Sequence, residues 1–505
     1  MKKHTLFKIL GIIILAYCIL TWVLPAKYYY GGSLQDLGRY QIGLFSIFNV
    51  PVTTVGYFAS IFVFILIVGG FYALLEETGF YKKALDTLSK KMKNKKLWLV
   101  IITVIIAIVS SVAGLEVATF AFFPFLISLL LVMGFSKMTA LTSVLGATIV
   151  GMFGSTYSYT MYGVINSILG TTLKDGIIVK LILFVLGLTL LLLLILLPLQ
   201  MKENKNKDKK KNIKAKKEQI KEKVKDEVKE VDTLISSITS EVKYKGCKKV
   251  WPIYLILGLV LLVFILGTLN FKEAFGITVF DNINTWINEF TIFKFPILKK
   301  LFGGFTVFGS WFGPEKYIHY STTLIIFSLI LCLIYKIDLN AIIEKFLVGV
   351  KKYLPIGALV IMSYALLVIV SSYPIYLTVG EKIVGATSSF NTLTYGTFTI
   401  LGSPLYVDIY YYPQYVLQFL QGLSGQASLK QALSILFVSL YSAVMLVAPT
   451  SVLLLSTLLV KLITFELKLG ILLPSIFNIE TLIDSVFFNP FTLSFLIVWL
   501  FATNL

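Results

Sequence analysis

The sequence GLEVAT, residues 114–119, interrupts an apolar stretch that runs from Leu97 to Met133. One membrane crossing takes about 20 apolar residues, so this stretch is too long for a single transmembrane helix. Two arrangements remain open. Either two short helices cross the bilayer and turn outside it at GLEVAT, or a re-entrant hairpin enters from the cytoplasm, turns at mid-depth and returns. The choice between them decides the fold of the first half of the chain.

Composition places most of the chain in lipid. Of the 505 residues, 57% are apolar and 14% are charged, and the mean hydropathy is +0.86. These values exclude a water-soluble globular protein. The cysteines and histidines are too scattered to suggest a metal or redox site, and no nucleophile–base pair is evident. We therefore predict a protein that is not an enzyme and that has no catalytic residue, metal site or cofactor.

The net charge of +19 comes mainly from a lysine-rich run between Lys202 and Lys249. This run is of low complexity and mixes lysines with acidic residues, which is typical of a solvated linker rather than of a nucleic-acid-binding surface. By the positive-inside rule, the N-terminus and this linker are cytoplasmic. We expect a multi-pass protein of the cytoplasmic membrane, with the lipid bilayer but no nucleic acid as a partner.

Nearly uncharged runs of about 17 to 25 residues, and longer interrupted ones, mark the membrane segments. They are Leu6–Leu24, Gly56–Leu75, Leu97–Met133, Met138–Leu169, Leu181–Leu197, Trp251–Leu269, Tyr320–Tyr335, Leu354–Ser371, Thr392–Leu420, Ala432–Val460 and Phe487–Phe501. An interfacial segment at residues 81–96 is cytoplasmic in this arrangement, whereas a similar one at residues 373–387 is outside. We predict an all-α polytopic membrane protein with two inverted-topology repeats that contain discontinuous helices.

Five regions follow from this arrangement. They are the first span and outer loop (1–55), membrane repeat 1 (56–200), the cytoplasmic lysine-rich linker (201–249), connecting spans with an outer segment (250–353) and membrane repeat 2 (354–505). Inverted repeats form their substrate and ion sites where they meet, near the middle of the bilayer.

Two polar interruptions mark the expected broken helices. The first is GSTYSY at residues 154–159, and the second is APTS at residues 448–451, where Pro449 ends one helix and hydroxyls begin the next. Helix N-termini and hydroxyls suit an anionic group, and free carbonyls suit a cation. The candidate binding residues are Gly154, Ser155, Thr156 and Ser158, with Pro449, Thr450 and Ser451. The alternative is that these small and hydroxyl residues serve only helix packing.

The hairpin tips supply two acids, Glu116 and Asp408. An acid in the middle of the membrane is costly, so it is a candidate functional residue unless its loop lies in water. Gly114 and Thr119 flank the first acid and complete the first tip, and Gly402 and Ser403 precede the second.

A competing position for the second tip is GLSGQAS, residues 422–428. Too few residues separate Gly422 from Pro449 to hold a return limb and a half-helix, and Lys430 would lie within that limb. The charge argument favours a loop at GLSGQAS and a tip at residues 402–408.

Several motifs make the chain similar to a known family. They are TWVLPAKYY (21–29), IVGGFYALLEETG (67–79), GLEVATFAFFPFL (114–126), FLVGVKKYLPIGALVIMSYAL (346–366) and APTSVLLLSTL (448–458). In their order they resemble the C4-dicarboxylate and basic amino acid carriers of the ion transporter superfamily. The resemblance implies a secondary carrier with two inverted repeats, each with a re-entrant hairpin and a broken helix, and a possible homodimer.

Some positions depart from that family. GSTYSYT stands where the family usually has Asn-Pro-Phe, Tyr441 and Met445 stand where it tends to have Asp and Asn, and Lys27 replaces a usual glycine. These departures leave the coupling ion and the substrate open.

The function expected from these features is secondary active transport of a small amino acid or carboxylate by alternating access, coupled to Na+, H+ or solute exchange. Arg39 is the single arginine in the sequence, and the predicted spans hold no lysine at mid-depth. A dicarboxylate would lack the bidentate guanidinium that usually binds it, which favours an amino acid or a monocarboxylate. The alternatives are a C4-dicarboxylate carrier or a non-transporting membrane scaffold.

Overall fold

Long apolar helices account for most of the chain. The computed structural model describes residues 5–31, 33–115, 118–212, 246–301, 307–386, 392–403, 405–406, 408–424 and 433–442. The first half contains helices α1 (Thr5–Val23), α2 (Leu44–Glu77), α3 (Tyr81–Lys91), α4 (Lys95–Ala113), α5 (Phe123–Val132), α6 (Lys137–Phe153), α7 (Tyr159–Leu169) and α8 (Ile177–Asn212), with a 3₁₀ turn at Ala118–Ala121. The second half contains α9 (Trp251–Thr268), α10 (Phe271–Phe275), α11 (Val279–Glu289), α12 (Ile297–Leu301), α13 (Lys316–Tyr335), α14 (Leu339–Ser372), α15 (Tyr376–Ala386), α16 (Thr392–Gly402), α17 (Tyr412–Ser424) and α18 (Leu433–Ser442).

Six of these helices are long and apolar enough to cross a membrane: α2, α4, α8 through Leu197, α9, α13 and α14. The predicted fold class, a helical polytopic membrane protein, is therefore confirmed. The boundaries at residues 56 and 354 fall inside continuous helices, because α2 begins at Leu44 and α14 begins at Leu339.

The expected interruptions of the apolar stretches are present. The stretch that contains GLEVAT is divided between α4 and α5, and the helix with GSTYSY is broken between α6 and α7. In the second half, α16 ends at Gly402 and α17 begins at Tyr412. The first three residues of GLSGQAS end α17, and its remaining residues lie outside the described part of the chain.

A short β-hairpin is the one feature that an all-α prediction missed among the described residues. Strands Lys27–Tyr30 and Ser33–Asp36 pair antiparallel after α1. Lys27 Nζ lies 2.7 Å from Glu381 Oε2 on α15, and this hydrogen-bonded partner raises the pKa of Lys27. Thr378 Oγ1 also donates to the Pro25 carbonyl at 2.6 Å. The lysine that replaces the usual glycine thus ties the first span to the second half.

The order of helices in one half is repeated in the other. Both α2 and α14 have 34 residues, with a bend at Phe58 in α2, and each is followed by a shorter helix, α3 or α15. Each short helix is followed by an interrupted apolar pair, α4–α5 or α16–α17. The two long helices pack closely, since a Cβ on Gly69 would lie 2.5 Å from the Gly349 carbonyl oxygen.

Buried side chains form two large clusters. The first includes Phe64 of α2 and Val144 of α6, and the second includes Tyr162 of α7 and Phe437 of α18. The broken helix passes from one cluster to the other, because most buried apolar side chains of α6 belong to the first and those of α7 to the second. The break at residues 154–158 therefore lies at the border between two packed bodies.

Candidate functional site

The end of α4 meets the break between α6 and α7. Gly114 caps α4 in the left-handed region at φ +64°, and its N–H donates to the Ser110 carbonyl. A Cβ on Gly114 would overlap Ser158 Oγ and lie 3.2 Å from Thr160 Cβ. Only glycine satisfies both the conformation and this close approach.

Ser111 bonds to the backbone that the helix break leaves open. Its Oγ donates to the Gly154 carbonyl at 2.8 Å, and its own carbonyl accepts from Thr156 N–H at 2.9 Å. The Ser155 and Thr156 hydroxyls also donate to the Ser111 carbonyl, at 3.4 and 3.3 Å. Backbone groups that lose their helical hydrogen bonds inside a membrane need other partners. The end of α4 supplies them here, and it therefore stabilises the unwound segment between α6 and α7.

Ser158 begins the second half of the broken helix. Its Oγ accepts from Met161 N–H at 3.2 Å, so it is the N-cap of α7. Thr160 Oγ1, two residues on, is buried and has no hydrogen-bond partner among the described residues. The positive end of α7 and two hydroxyls are thus directed towards Gly114.

The other residues of the first tip are only partly described. Thr119 is buried, and its hydroxyl donates to the Leu115 carbonyl. Glu116 lies outside the described residues, although its neighbours Leu115 and Ala118 are each 1% exposed. The structure therefore brings together Gly114, Gly154, Ser155, Thr156 and Ser158.

Asp408 lies in the connection between α16 and α17. Its Oδ2 accepts from the Tyr364 hydroxyl of α14 at 2.6 Å, and its Oδ1 accepts from Tyr410 N–H at 2.8 Å. The side chain is half-buried. Ser403 is fully buried and donates to the Thr399 carbonyl at 2.6 Å, so it closes the end of α16.

Tyrosines pack tightly around the second tip. Tyr412 donates to the Thr399 carbonyl at 3.0 Å, Tyr376 donates to the Phe398 carbonyl, and both hydroxyls crowd Gly402. The Tyr406 and Tyr412 rings are fully buried and stack at 4.9 Å. These two rings therefore belong to the core rather than to an interfacial aromatic belt.

Helix α18 contacts both halves of the candidate site. Ser439 Oγ donates to the Phe153 carbonyl at 3.2 Å, beside the first helix break. Tyr441 lies 6.1 Å from the Tyr412 ring at the second tip. Pro449, Thr450 and Ser451, the predicted second break, follow α18 in sequence and lie outside the described residues.

Sequence reasoning missed Ser111 and Tyr364. Both are hydroxyl residues on long apolar helices, where the serine pair at residues 110–111 is a visible but unspecific signal. Their importance comes from distant partners: Ser111 bonds to residues more than 40 positions later, and Tyr364 lies 44 positions before Asp408.

Comparison with known proteins gives three matches. An uncharacterized protein of Haemophilus influenzae is 24% identical over 159 residues, a segment that spans 31% of each chain. The crystal structure of the YdaH transporter of Alcanivorax borkumensis covers 90% of both chains, at 11% identity and a TM-score of 0.36. A model of the C4-dicarboxylate anaerobic carrier family matches residues 4–405. The chain therefore belongs to the C4-dicarboxylate anaerobic carrier family, which is a family of carriers rather than of enzymes.

Proposed function

We propose that this carrier is a secondary active transporter of four-carbon dicarboxylates across the cytoplasmic membrane, working by alternating access. The family supports the substrate class. The observation that carries the proposal is the contact of the α4 tip with the break between α6 and α7, centred on Ser111 and Gly154. Unwound backbone beside a helix N-terminus is the arrangement with which secondary transporters bind anionic groups.

The length of α5 supports a re-entrant hairpin in the first half. Its 10 residues rise about 15 Å, which is half the thickness of the hydrocarbon core. A helix this short does not cross the bilayer by itself. Helix α4, with 19 residues, is long enough to cross, so the hairpin proposal rests on the short α5 and on the contact of the tip with the α6–α7 break.

The matched order of helices supports inverted repeats. In each half, a 34-residue helix and then a shorter helix precede the interrupted segment. An odd number of crossings separates α3 from α15 in the topology inferred from lysine distribution. The two repeats therefore face opposite sides of the membrane.

Asp408 is the proposed ligand of the coupling cation. Tyr364 and Tyr410 each use one lone pair of its carboxylate, which leaves acceptor positions for Na+ or a proton.

Uptake into proteoliposomes tests the proposal. Purified protein is reconstituted, and entry of labelled succinate is measured with an inward Na+ gradient, an inward proton gradient, or internal unlabelled succinate. We expect saturable uptake that depends on one of these three conditions, absent from protein-free liposomes. A variant Asp408→Asn should lose the ion-dependent part of uptake while remaining monodisperse. Failure of succinate to enter under every condition would reject the dicarboxylate assignment.

A second candidate, an amino acid carrier, is favoured by the acid at Asp408, which suits a substrate amino group. The same assay decides between them when labelled lysine, aspartate and lactate replace succinate. Uptake of lysine without succinate would establish the second candidate. If none of the four solutes moves, the protein is not a carrier of small carboxylates or amino acids.

A further inference from the structure

Lys180 is a buried cation in the first turn of α8. Its side chain is 2% exposed, its Nζ donates to the Leu173 carbonyl at 3.0 Å, and its ammonium lies 3.9 Å from the centre of the Tyr162 ring. Neither partner carries a formal charge. Among the described residues, no carboxylate oxygen lies within 4.0 Å of Nζ, and Asp175 instead accepts from Thr172 N–H. A buried ammonium bonded only to uncharged groups is costly, and among the described residues the acid that acts on its charge, Asp175, lies beyond ion-pair distance.

Asn166 lies one helical turn beyond Tyr162, on the same face of α7. Its Oδ1 accepts from Thr171 Oγ1 at 2.8 Å and from Ser434 Oγ at 3.3 Å. Its Nδ2 is buried and has no hydrogen-bond partner in the described part of the chain. The two accepted bonds fix the amide orientation, and they leave two N–H donors unused.

Both groups lie close to the helix break. Phe184, four residues after Lys180 on the same face of α8, packs against Gly154, where an added Cβ would lie 2.5 Å from its Cβ. Tyr162, whose ring contacts the Lys180 ammonium, lies one turn of α7 after the N-cap Ser158. The ammonium and the amide therefore lie one to two helical turns from the unwound segment, towards the loop at residues 170–176.

We propose that Lys180 and Asn166 bind one carboxylate of the substrate beside the helix break. An ammonium and an amide N–H are donors that suit a carboxylate, and a charge-assisted bond would place an anion in direct contact with the Lys180 ammonium. This assignment rests on the proposed function. The predicted spans hold no arginine that could bind a dicarboxylate. In this assignment a lysine at the edge of a span provides the cation instead.

Substrates that differ in one carboxylate test the assignment. We expect the wild-type carrier to transport succinate with a lower KM than succinamate, in which an amide replaces one carboxylate. In Lys180→Met, the KM for succinate should rise roughly tenfold or more, while the KM for succinamate changes little. Lys180→Arg should restore part of the preference for succinate over succinamate. Lys174→Met, which removes an exposed lysine from the same loop, is the matched control and should leave both constants unchanged.

Asn166→Asp provides a second variant that keeps the shape of the side chain and its acceptor for Thr171. It replaces the unused donor by an oxygen, so the KM for succinate should rise without loss of thermal stability. Equal effects of both substitutions on succinate and succinamate would overturn the assignment and leave Lys180 as a cap of the Leu173 carbonyl. If the Lys180→Met protein aggregates, Asn166→Asp decides by the same comparison. Absence of wild-type succinate uptake would instead reject the proposed function, and this site with it.

Discussion

At the scale of single residues, Gly114 is the most constrained position of the candidate site. Its φ of +64° and the contact with Ser158 both exclude a side chain. Gly114→Ala should lower the thermal midpoint of the purified protein, since the left-handed conformation alone costs a non-glycine residue about 1–2 kcal/mol. Succinate uptake should fall as well, because Ser158 and Thr160 are displaced.

Gly258→Ala is the control for this substitution, because no atom lies within 4 Å of the added Cβ. Differential scanning fluorimetry in the same detergent compares the two variants. A Gly114→Ala protein that melts with the wild type would contradict the described geometry of the tip.

The bond between Tyr364 and Asp408 gives a second prediction at this scale. Tyr364→Phe removes the donor at 2.6 Å and leaves a half-buried carboxylate with one fewer partner, a loss of about 1–3 kcal/mol. The decrease in thermal midpoint should be much smaller when Tyr364→Phe is made in an Asp408→Asn background. Additive decreases in the double variant would show that the two side chains do not interact.

Whether a candidate residue could be predicted from the sequence depends on how far away in the sequence its partners lie. Gly154 and Ser158 could be predicted, because a glycine and hydroxyl cluster inside an apolar run marks a broken helix locally. Ser111, Tyr364 and Lys180 could not, because each bonds to a group in another element. In an apolar run, a serine bonded to its own helix and one bonded to a distant carbonyl look the same.

At the scale of elements, hydropathy found where helices lie in the membrane but not where they end. Helix α2 begins 12 residues before the predicted position at Gly56 and continues through Pro51, with a bend at Phe58. Helix α14 likewise begins with a charged segment that includes Glu344 and Lys345. The charged start of α14 extends beyond the apolar run that marks its span, whereas residues 44–55 of α2 carry no charge and precede the bend at Phe58.

The packing of α2 against α14 depends on glycines at the contact. The Gly69 and Gly349 backbones approach so closely that a Cβ on either would meet the carbonyl of the other. Small residues allow this kind of helix contact in lipid, where van der Waals packing drives association. Gly69→Leu should therefore separate the helices, with a loss of stability of about 1–3 kcal/mol or more from overpacking.

Gly56→Leu, on the same helix with no atom within 4 Å of its added Cβ, is the matched control. Fluorescence-detected size-exclusion chromatography measures the monodisperse fraction of each variant. We expect a large fall for Gly69→Leu and little change for Gly56→Leu. Equal profiles would mean that α2 and α14 do not pack at these glycines.

At the scale of the whole molecule, the two buried clusters suggest what moves. Helix α6 packs in the first cluster and α7 in the second, so relative motion of the clusters would change the break between them. The substrate groups assigned to this break would then be exposed to one side at a time. Alternating access by motion of one packed body against another is the usual mechanism of inverted-repeat carriers.

Inversion of the repeats predicts that corresponding helices lie on opposite sides of the membrane. Lys90 of α3 and Lys382 of α15 are both exposed, and each lies on the shorter helix that follows a long one, α2 or α14. In a background without Cys18, Cys247 and Cys332, Lys382→Cys should react with a membrane-impermeant maleimide in intact cells, whereas Lys90→Cys should react only after the membrane is opened. The result does not depend on whether α4 and α5 cross the bilayer, because a hairpin and a double crossing return the chain to the same side. Labelling of both positions from the same side would establish parallel repeats, and would reject a site formed by oppositely oriented halves.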